Sequence, residues 1–400
     1  MDNGQLKSAV RFPSVPAGYK QTEVGVIPEE WECGKLEEYF SFISYGFTNP
    51  MPAVEHGIFM VTAADINEGR LQLATARKTT EAAYRTLLSP KSKPKKNDIL
   101  LTKDGSLGRL ALVGDEQICI NQSVAVIRPN ERVEPTFLKL LLESPRYQRK
   151  MLENAGGSTI KHIYITIVNL MSVGIPLRRE EQRAIAEALS DVDALLGALD
   201  RLIAKKRDLK QAAVQQLLTG QTRLPGFRGE WQVKKLGDLL RVRHGRGQRE
   251  IETSNGKYPI LATGGEIGRT DTAIYDKPSV LIGRKGTIDK PQYRDTPFWT
   301  VDTLFYTEIE DSAHPKFIYY LCLTIDWHSY NEASGVPSLN ASTVEKIEIS
   351  CPDIAEQVAI ADMLTDMDAE LGALEQRRDK TRALKQGMMQ ELLTGRIRLV

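Results

Sequence analysis

The sequence predicts a mixed α/β protein built twice over, with two similar globular domains each followed by one long helix. Three observations lead there. The stretch "LKQAAVQQLLTGQTRL" (Leu209–Leu224) is nearly repeated as "LKQGMMQELLTGRIRL" (Leu384–Leu399), 175 residues later. At that offset 24 of the 43 positions from Glu181 to Arg223 are identical, so the likeness is a duplication and not shared composition. The regions ahead of the two repeats also correspond, and each carries a basic turn built around glycine.

Length and composition fit that organisation. Four hundred residues exceed what one hydrophobic core usually organises, and 41% apolar with 26% charged residues suits an ordinary soluble chain of two or more domains. The predicted boundaries are a leading arm over 1–26, a first domain over 27–176, a helix over 177–224, a second domain over 225–352 and a last helix over 353–400. Cys33, Cys119, Cys322 and Cys351 form no C-x-x-C pair and have no histidines at metal-ligand spacing, so they read as reduced, buried, apolar residues without a structural zinc. The N-terminus lacks an apolar signal core, and no run reaches the ~20 apolar residues that span a bilayer. A cytoplasmic protein without membrane contact is expected.

The opening of each domain aligns "GVIPEEWECGKLEEYF" (Gly25–Phe40) with "GFRGEWQVKKLGDLL" (Gly226–Leu240), pairing Trp31 with Trp231 and Leu36 with Leu236. Next, "NDILLTKDGSLGRLALV" (Asn97–Val113) matches "PSVLIGRKGTIDKPQY" (Pro278–Tyr293), each an apolar strand running into a turn. "CINQSVAVIRP" then pairs with "WTVDTLFYTEI", and amphipathic stretches opening "FLKLLL" and "FIYYL" follow. In the repeats, Ile185, Leu189, Val192, Leu196, Leu199 and Ile203 recur at steps of four and three, as do Ile360, Leu364, Met367, Leu371 and Leu374. Such a seam asks for a partner helix. It weakens at Lys206 and Lys210, which reads as a stutter. "LLTG" supplies the stop, with Gly220 and Gly395 free to take the left-handed conformation. Forty residues from Glu180 to Thr219 make a rod of roughly 60 Å.

Taken together, "IPEEWE", "GGSTIKHIYI", "IPLRREEQRAIA" and "LLTG" in the first half, with "PSVLIGRKGTI", "PFWTVDTLFY" and "CPDIAEQVAIADML" in the second, resemble the specificity subunit of Type I restriction–modification systems. The resemblance covers nearly the whole chain. It implies two target-recognition domains, each reading half of a bipartite site in double-stranded DNA, separated by two long antiparallel coiled-coil helices in a pseudo-two-fold arrangement. It also implies that those helices assemble two modification (adenine methyltransferase) subunits, joined by restriction subunits. No cofactor is then expected on this chain, while S-adenosylmethionine, ATP and Mg2+ belong to the partner subunits. A two-fold protein meets DNA at two separated half-sites, and because the domains differ in sequence those half-sites need not be palindromic.

Candidate DNA-binding residues fall in three segments of each domain. Lys103, Ser106 and Arg109 lie in "LTKDGSLGR", where the family's Gly-Ser/Thr-Ile-Gly is kept as "GSLG". Arg284, Lys285, Gly286 and Thr287 lie in "LIGRKGTID", which departs from that pattern at Asp289. Glycine permits close backbone approach, lysine and threonine hold phosphates, and arginine can reach a guanine edge with two hydrogen bonds. Tyr45 in "SYGFTNP", and Arg243, His244 and Arg246 in "RVRHGRGQR", occupy matching early positions. Thr159 and Lys161 in "GGSTIKH", with Ser338 and Asn340 in "SGVPSLN", occupy matching late ones, where capping of the following element is the alternative role. Net charge is only +1, but Tyr84–Arg109 carries seven Lys/Arg against two Asp, and Arg241–Arg249 four Arg with no acid. Local basic loops on a neutral body suit a phosphate grip.

Catalysis by the chain itself is the rival reading. An amino-methyltransferase needs a cofactor-binding glycine loop and an Asn/Asp-Pro-Pro-aromatic stretch, and "TNPMP" (Thr48–Pro52) lacks the second proline and the aromatic. "ATGGEIGRT" (Ala262–Thr270) has the wrong spacing for a phosphate loop and no lysine, and reads as a turn. A non-catalytic recognition and assembly subunit is therefore expected. The alternative is a coiled-coil assembly scaffold without sequence-specific DNA reading.

Overall fold

The computed structural model describes residues 15–156 and 161–399. The chain divides into two compact units, one of residues 1–198 with 378–400 and the other of residues 199–377. Each is a mixed α/β assembly on one plan. The first holds a four-stranded antiparallel sheet of β1 (Phe40–Tyr45), β2 (Ile99–Thr102), β3 (Leu110–Leu112) and β4 (Val124–Pro129), in the order β3-β2-β4-β1. The second repeats it with β5 (Leu240–His244), β6 (Ser279–Gly283), β7 (Gln292–Arg294) and β8 (Leu304–Ile309), in the order β7-β6-β8-β5. β2 and β6 are buried along their whole length, which is why "ILLT" and "SVLIG" read as unbroken apolar runs and not as alternation.

A smaller three-stranded sheet accompanies each. In the first unit Ile58–Val61 lies between Ile118–Ile120, its parallel neighbour, and Arg77–Thr79. In the second Tyr258–Ala262 lies between Gly265–Thr270 and the parallel Trp299–Thr300. "ATGGEIGRT" is thus a hairpin, as its glycines indicate. Helices Pro135–Glu143 and Pro315–Cys322 cover the larger sheets, with Phe137 and Phe317 fully buried. The leading arm expected over 1–26 lies partly outside the described residues, and its end is a hairpin of Tyr19–Thr22 with Gly25–Pro28.

The long helices are α1 (Arg179–Leu218, 40 residues) and α2 (Ile354–Leu392, 39 residues). Gly220 and Gly395 follow them at φ +70° and +72°, the left-handed stop. In the first unit the start of α1 packs on the end of α2, where Ile185 and Leu189 share a core with Met389, Leu392 and Leu393. In the second unit the end of α1 packs on the start of α2, where Leu217 and Leu218 share one with Ile360 and Leu364. The pairing is antiparallel, since Asp193 meets Lys385 at 2.6 Å in one unit, and Lys210 meets Asp368 and Arg223 meets Glu356 in the other. The seam's interruption at Lys206 and Lys210 has a specific cause. Both lysines reach across to acids of α2, Lys206 to Glu370 at 2.7 Å and Lys210 to Asp368, and α1 stays continuous through them.

Cys119, Cys322 and Cys351 are buried and Cys33 half-buried, all as free thiols, and burial pushes the Cys119 and Cys322 thiols up to about 12. Among the described residues no cluster of His, Cys, Asp and Glu could hold a metal, and no helix is long and apolar enough to cross a membrane.

Candidate nucleic-acid interface

The turn after β2 and the turn after β6 are built alike. Lys103 and Asp104 both donate their N–H to the Ser123 carbonyl, and Arg284 and Lys285 both donate theirs to Thr303. Gly105 and Gly286 sit at φ +76° and +86°, a conformation that a side chain would strain. The turns then diverge. Gly108 is left-handed at φ +81°, while Asp289, standing where the motif expects glycine, is not in that region. In the first turn the Thr102 hydroxyl bonds to the Ser106 carbonyl and accepts from Arg109 N–H at 2.9 Å.

The late segment of each domain closes on its turn. Asp104 forms an antiparallel bridge with His162, and Lys285 forms one with Ser338. Ile163 N–H reaches Lys103 O, Leu339 N–H reaches Arg284 O and Gly286 N–H reaches Pro337 O, each at 2.9 Å. The early segment closes in from the other side. Gly46 N–H bonds Val124 O and Phe47 N–H bonds Ile120 O, while Arg246 N–H bonds Thr300 O and Trp299 Nε1 returns a bond to Arg246 O. Segments about forty to sixty residues apart in the sequence therefore meet at one end of each large sheet.

The side chains expected to bind are mostly exposed there. Tyr45 lies under two ammonium groups, Lys91 at 5.2 Å and Lys103 at 5.6 Å from its ring. Lys161, Arg246 and Lys285 are exposed, Ser106, Gly286 and Thr287 half-buried. Arg284 is half-buried and donates to the Asp302 carbonyl, and Arg109 donates to the Ile66 carbonyl. Arg243 is tied to Glu308 at 2.8 Å, which raises its pKa and offsets its charge, and His244 stands edge-on to Phe305. The Asn340 side-chain oxygen caps the short helix Ala341–Glu345 by accepting from Ser342 N–H, which is its alternative role. Thr159 lies outside the described residues.

Two features escaped the sequence reading. Asp104 accepts from Lys103 and sits 2.6 Å from His162 Nδ1, a pairing across 58 positions that no local pattern signals. The other ties each unit together. Glu181, 2% exposed, takes the Arg398 guanidinium on both oxygens and accepts from Trp31 Nε1. Glu356, 1% exposed, takes Arg223 and Trp231 in the same way. A signal for it existed, because Glu181/Glu356 and Arg223/Arg398 are identical pairs near the two ends of the duplicated run.

The sequence matches the type I restriction modification DNA specificity domain over residues 28–205 and 228–382. The chain belongs to the type I restriction–modification specificity family. It is similar to the MjaVIII type I restriction enzyme specificity subunit of Methanocaldococcus jannaschii, at 22% identity over 432 residues that cover 93% of this chain and 94% of the relative. The type I S subunit of M. genitalium shares its fold with a TM-score of 0.64 and 18% identity, over 90% of this chain and 96% of that one. A chain from a study of complex assembly in the type I system aligns at TM-score 0.57 and 16% identity, over 93% and 99%. This specificity subunit is a non-catalytic member of its complex, and its two sheet-rich domains and paired helices are those of the family fold.

Proposed function

We propose that this specificity subunit reads a split, asymmetric DNA site, one half with each domain (27–176 and 225–352), while the helices (177–224 and 353–400) set the distance between the halves. The carrying observation is one scaffold with different chemistry at matching positions. Tyr45 stands where His244 does, Asp104 where Lys285 does and His162 where Ser338 does, on the same backbone hydrogen bonds. Shared backbone with exchanged side chains supports two readers of one docking mode and different bases. The helices also seat two modification (adenine methyltransferase) subunits, to which restriction subunits are joined. S-adenosylmethionine is bound by the former, and ATP and Mg2+ by the partners, all in the cytoplasm where the DNA is.

The purified chain given S-adenosylmethionine and duplex DNA will transfer no methyl group, and addition of the modification subunit will start transfer to adenine. Tritium incorporation into DNA measures both, and transfer by the chain alone contradicts the proposal. Charge removal will act domain by domain. Arg284→Ala with Lys285→Ala will weaken discrimination in one half-site and Lys103→Ala with Arg109→Ala in the other, by ~1–3 kcal/mol for a residue with a bidentate base contact and less for phosphate contacts. Competition binding with half-site mutants of the target reads the difference, and two variants with unchanged affinity and preference remove the turns from the interface.

A further inference from the structure

The turns of the two domains carry opposite charges at one backbone position. Asp104 and Lys285 each follow the first cation of the turn, and each donates its N–H to the carbonyl of the residue that precedes the β4 or β8 strand by one position (Ser123, 3.3 Å; Thr303, 3.2 Å). Each also bridges the late segment, at His162 or Ser338. Lys285 is exposed and has no ion-pair partner among the described residues.

Asp104 is held firmly. Lys103 Nζ donates to both of its oxygens at 2.8 Å, and His162 Nδ1 lies 2.6 Å from Oδ1. A carboxylate offers about four lone-pair sites, so acceptor capacity remains on Oδ2, and 21% of the side-chain surface is exposed. Partial burial works to raise the carboxyl's pKa, but the hydrogen bonds from Lys103 and His162 outweigh it and lower the value below the usual aspartate range. The group is an ionised acceptor at neutral pH.

A carboxylate is costly on a surface that only grips phosphates, because like charges repel. Its free acceptor capacity suits a hydrogen-bond donor and not a phosphate. In the major groove the hydrogen-bond donors are the N4 amino group of cytosine and the N6 amino group of adenine. We infer that Asp104 accepts a hydrogen bond from one of these amino groups in the half-site of the first domain, with Lys103 holding the carboxylate and offsetting repulsion from flanking phosphates. This rests on the reading of the two domains as half-site readers. At the matching place the second domain offers the Lys285 ammonium, a donor suited to guanine O6 and N7 or to a phosphate, so recognition of an amino group there is confined to the first half-site.

The test is the adenine-methylation motif of the full chain with its modification subunit, on a duplex pool randomised over both half-sites, for wild type, Asp104→Asn and Asp104→Ala. Wild type will prefer cytosine or adenine at one position of one half-site. Both variants will lose a cytosine preference there about ten-fold or more, Asp104→Asn moving it towards adenine, which asparagine binds with two hydrogen bonds. If adenine is the wild-type base, Asp104→Ala will lose the preference and Asp104→Asn will keep it. The other half-site and the spacer will not change. Methylation that is uniformly weaker, with the preference of every position intact in both variants, overturns the inference by making Asp104 only a pin for the turn, and so does an unchanged motif at an unchanged rate. A wild-type complex with no split motif overturns the reading of the domains instead, which separates the two failures.

Discussion

Arg398→Ala will lower the thermal midpoint of the purified chain by about 10 °C. The substitution leaves the Glu181 carboxylate, 2% exposed, without its guanidinium. Stranding one partner of a buried pair costs about 3–5 kcal/mol, and the lower end applies because 22% of the Arg398 side chain is exposed. In a unit of this size each kcal/mol moves the midpoint by roughly 2–4 °C. Arg223→Ala removes the same contact from Glu356 in the second unit and will also lower the midpoint. The control is Glu181→Gln combined with Arg398→Leu, which removes the stranded charge and leaves the amide oxygen to accept from Trp31 Nε1. Calorimetry should show most of the loss recovered in that double variant. A midpoint within 2 °C of wild type for Arg398→Ala would show that Glu181 is content without its partner.

Lengthening the helices will lengthen the spacer of the DNA site. Four residues added to one helix beside Lys206 would shear the pairs Lys206–Glu370 and Lys210–Asp368. The insertion therefore belongs in both helices, between Ala198 and Leu199 and between Arg377 and Arg378, where the chain passes from one unit to the other. Four residues add roughly 6 Å and about one helical turn, a stutter that a coiled coil absorbs by local unwinding. Base pairs stack at ~3.4 Å. The variant will methylate a site with the same two half-sequences and a spacer one or two base pairs longer. Larger insertions will fail, because DNA turns by roughly a tenth of a revolution per base pair and soon turns the wrong groove face to the second domain. Altered half-site bases with an unchanged spacer, read from the methylome, would mean that the helices do not set the distance.

The helices were legible because their apolar residues obey one local period and their ends carry glycine stops, so α1 departs from the predicted Glu180–Thr219 by one residue at each end. The strands leading into the two turns were legible for a similar reason, as short apolar runs halted by glycine. The small sheets were not. Ile118–Ile120 pairs in parallel with Ile58–Val61 across about sixty positions, and such register is set by packing that no window of sequence contains. The same distance hid the meeting of Asp104 with His162. The interruption of the apolar seam at Lys206 and Lys210 was legible but its cause was not, because a lysine's acid across an antiparallel pair is visible only when the pairing is known. Asn340 suits a base contact and a helix cap equally by residue type, and only the Ser342 N–H at 3.1 Å shows what its oxygen does.

The most direct test of split-site reading is to map methylated adenines across the DNA of cells that express this chain with its modification subunit. The map will show one motif of two unrelated half-sequences separated by a spacer of fixed length and free sequence, with methylation absent when the chain is omitted. A contiguous or palindromic motif, or methylation at the same adenines without the chain, would contradict it.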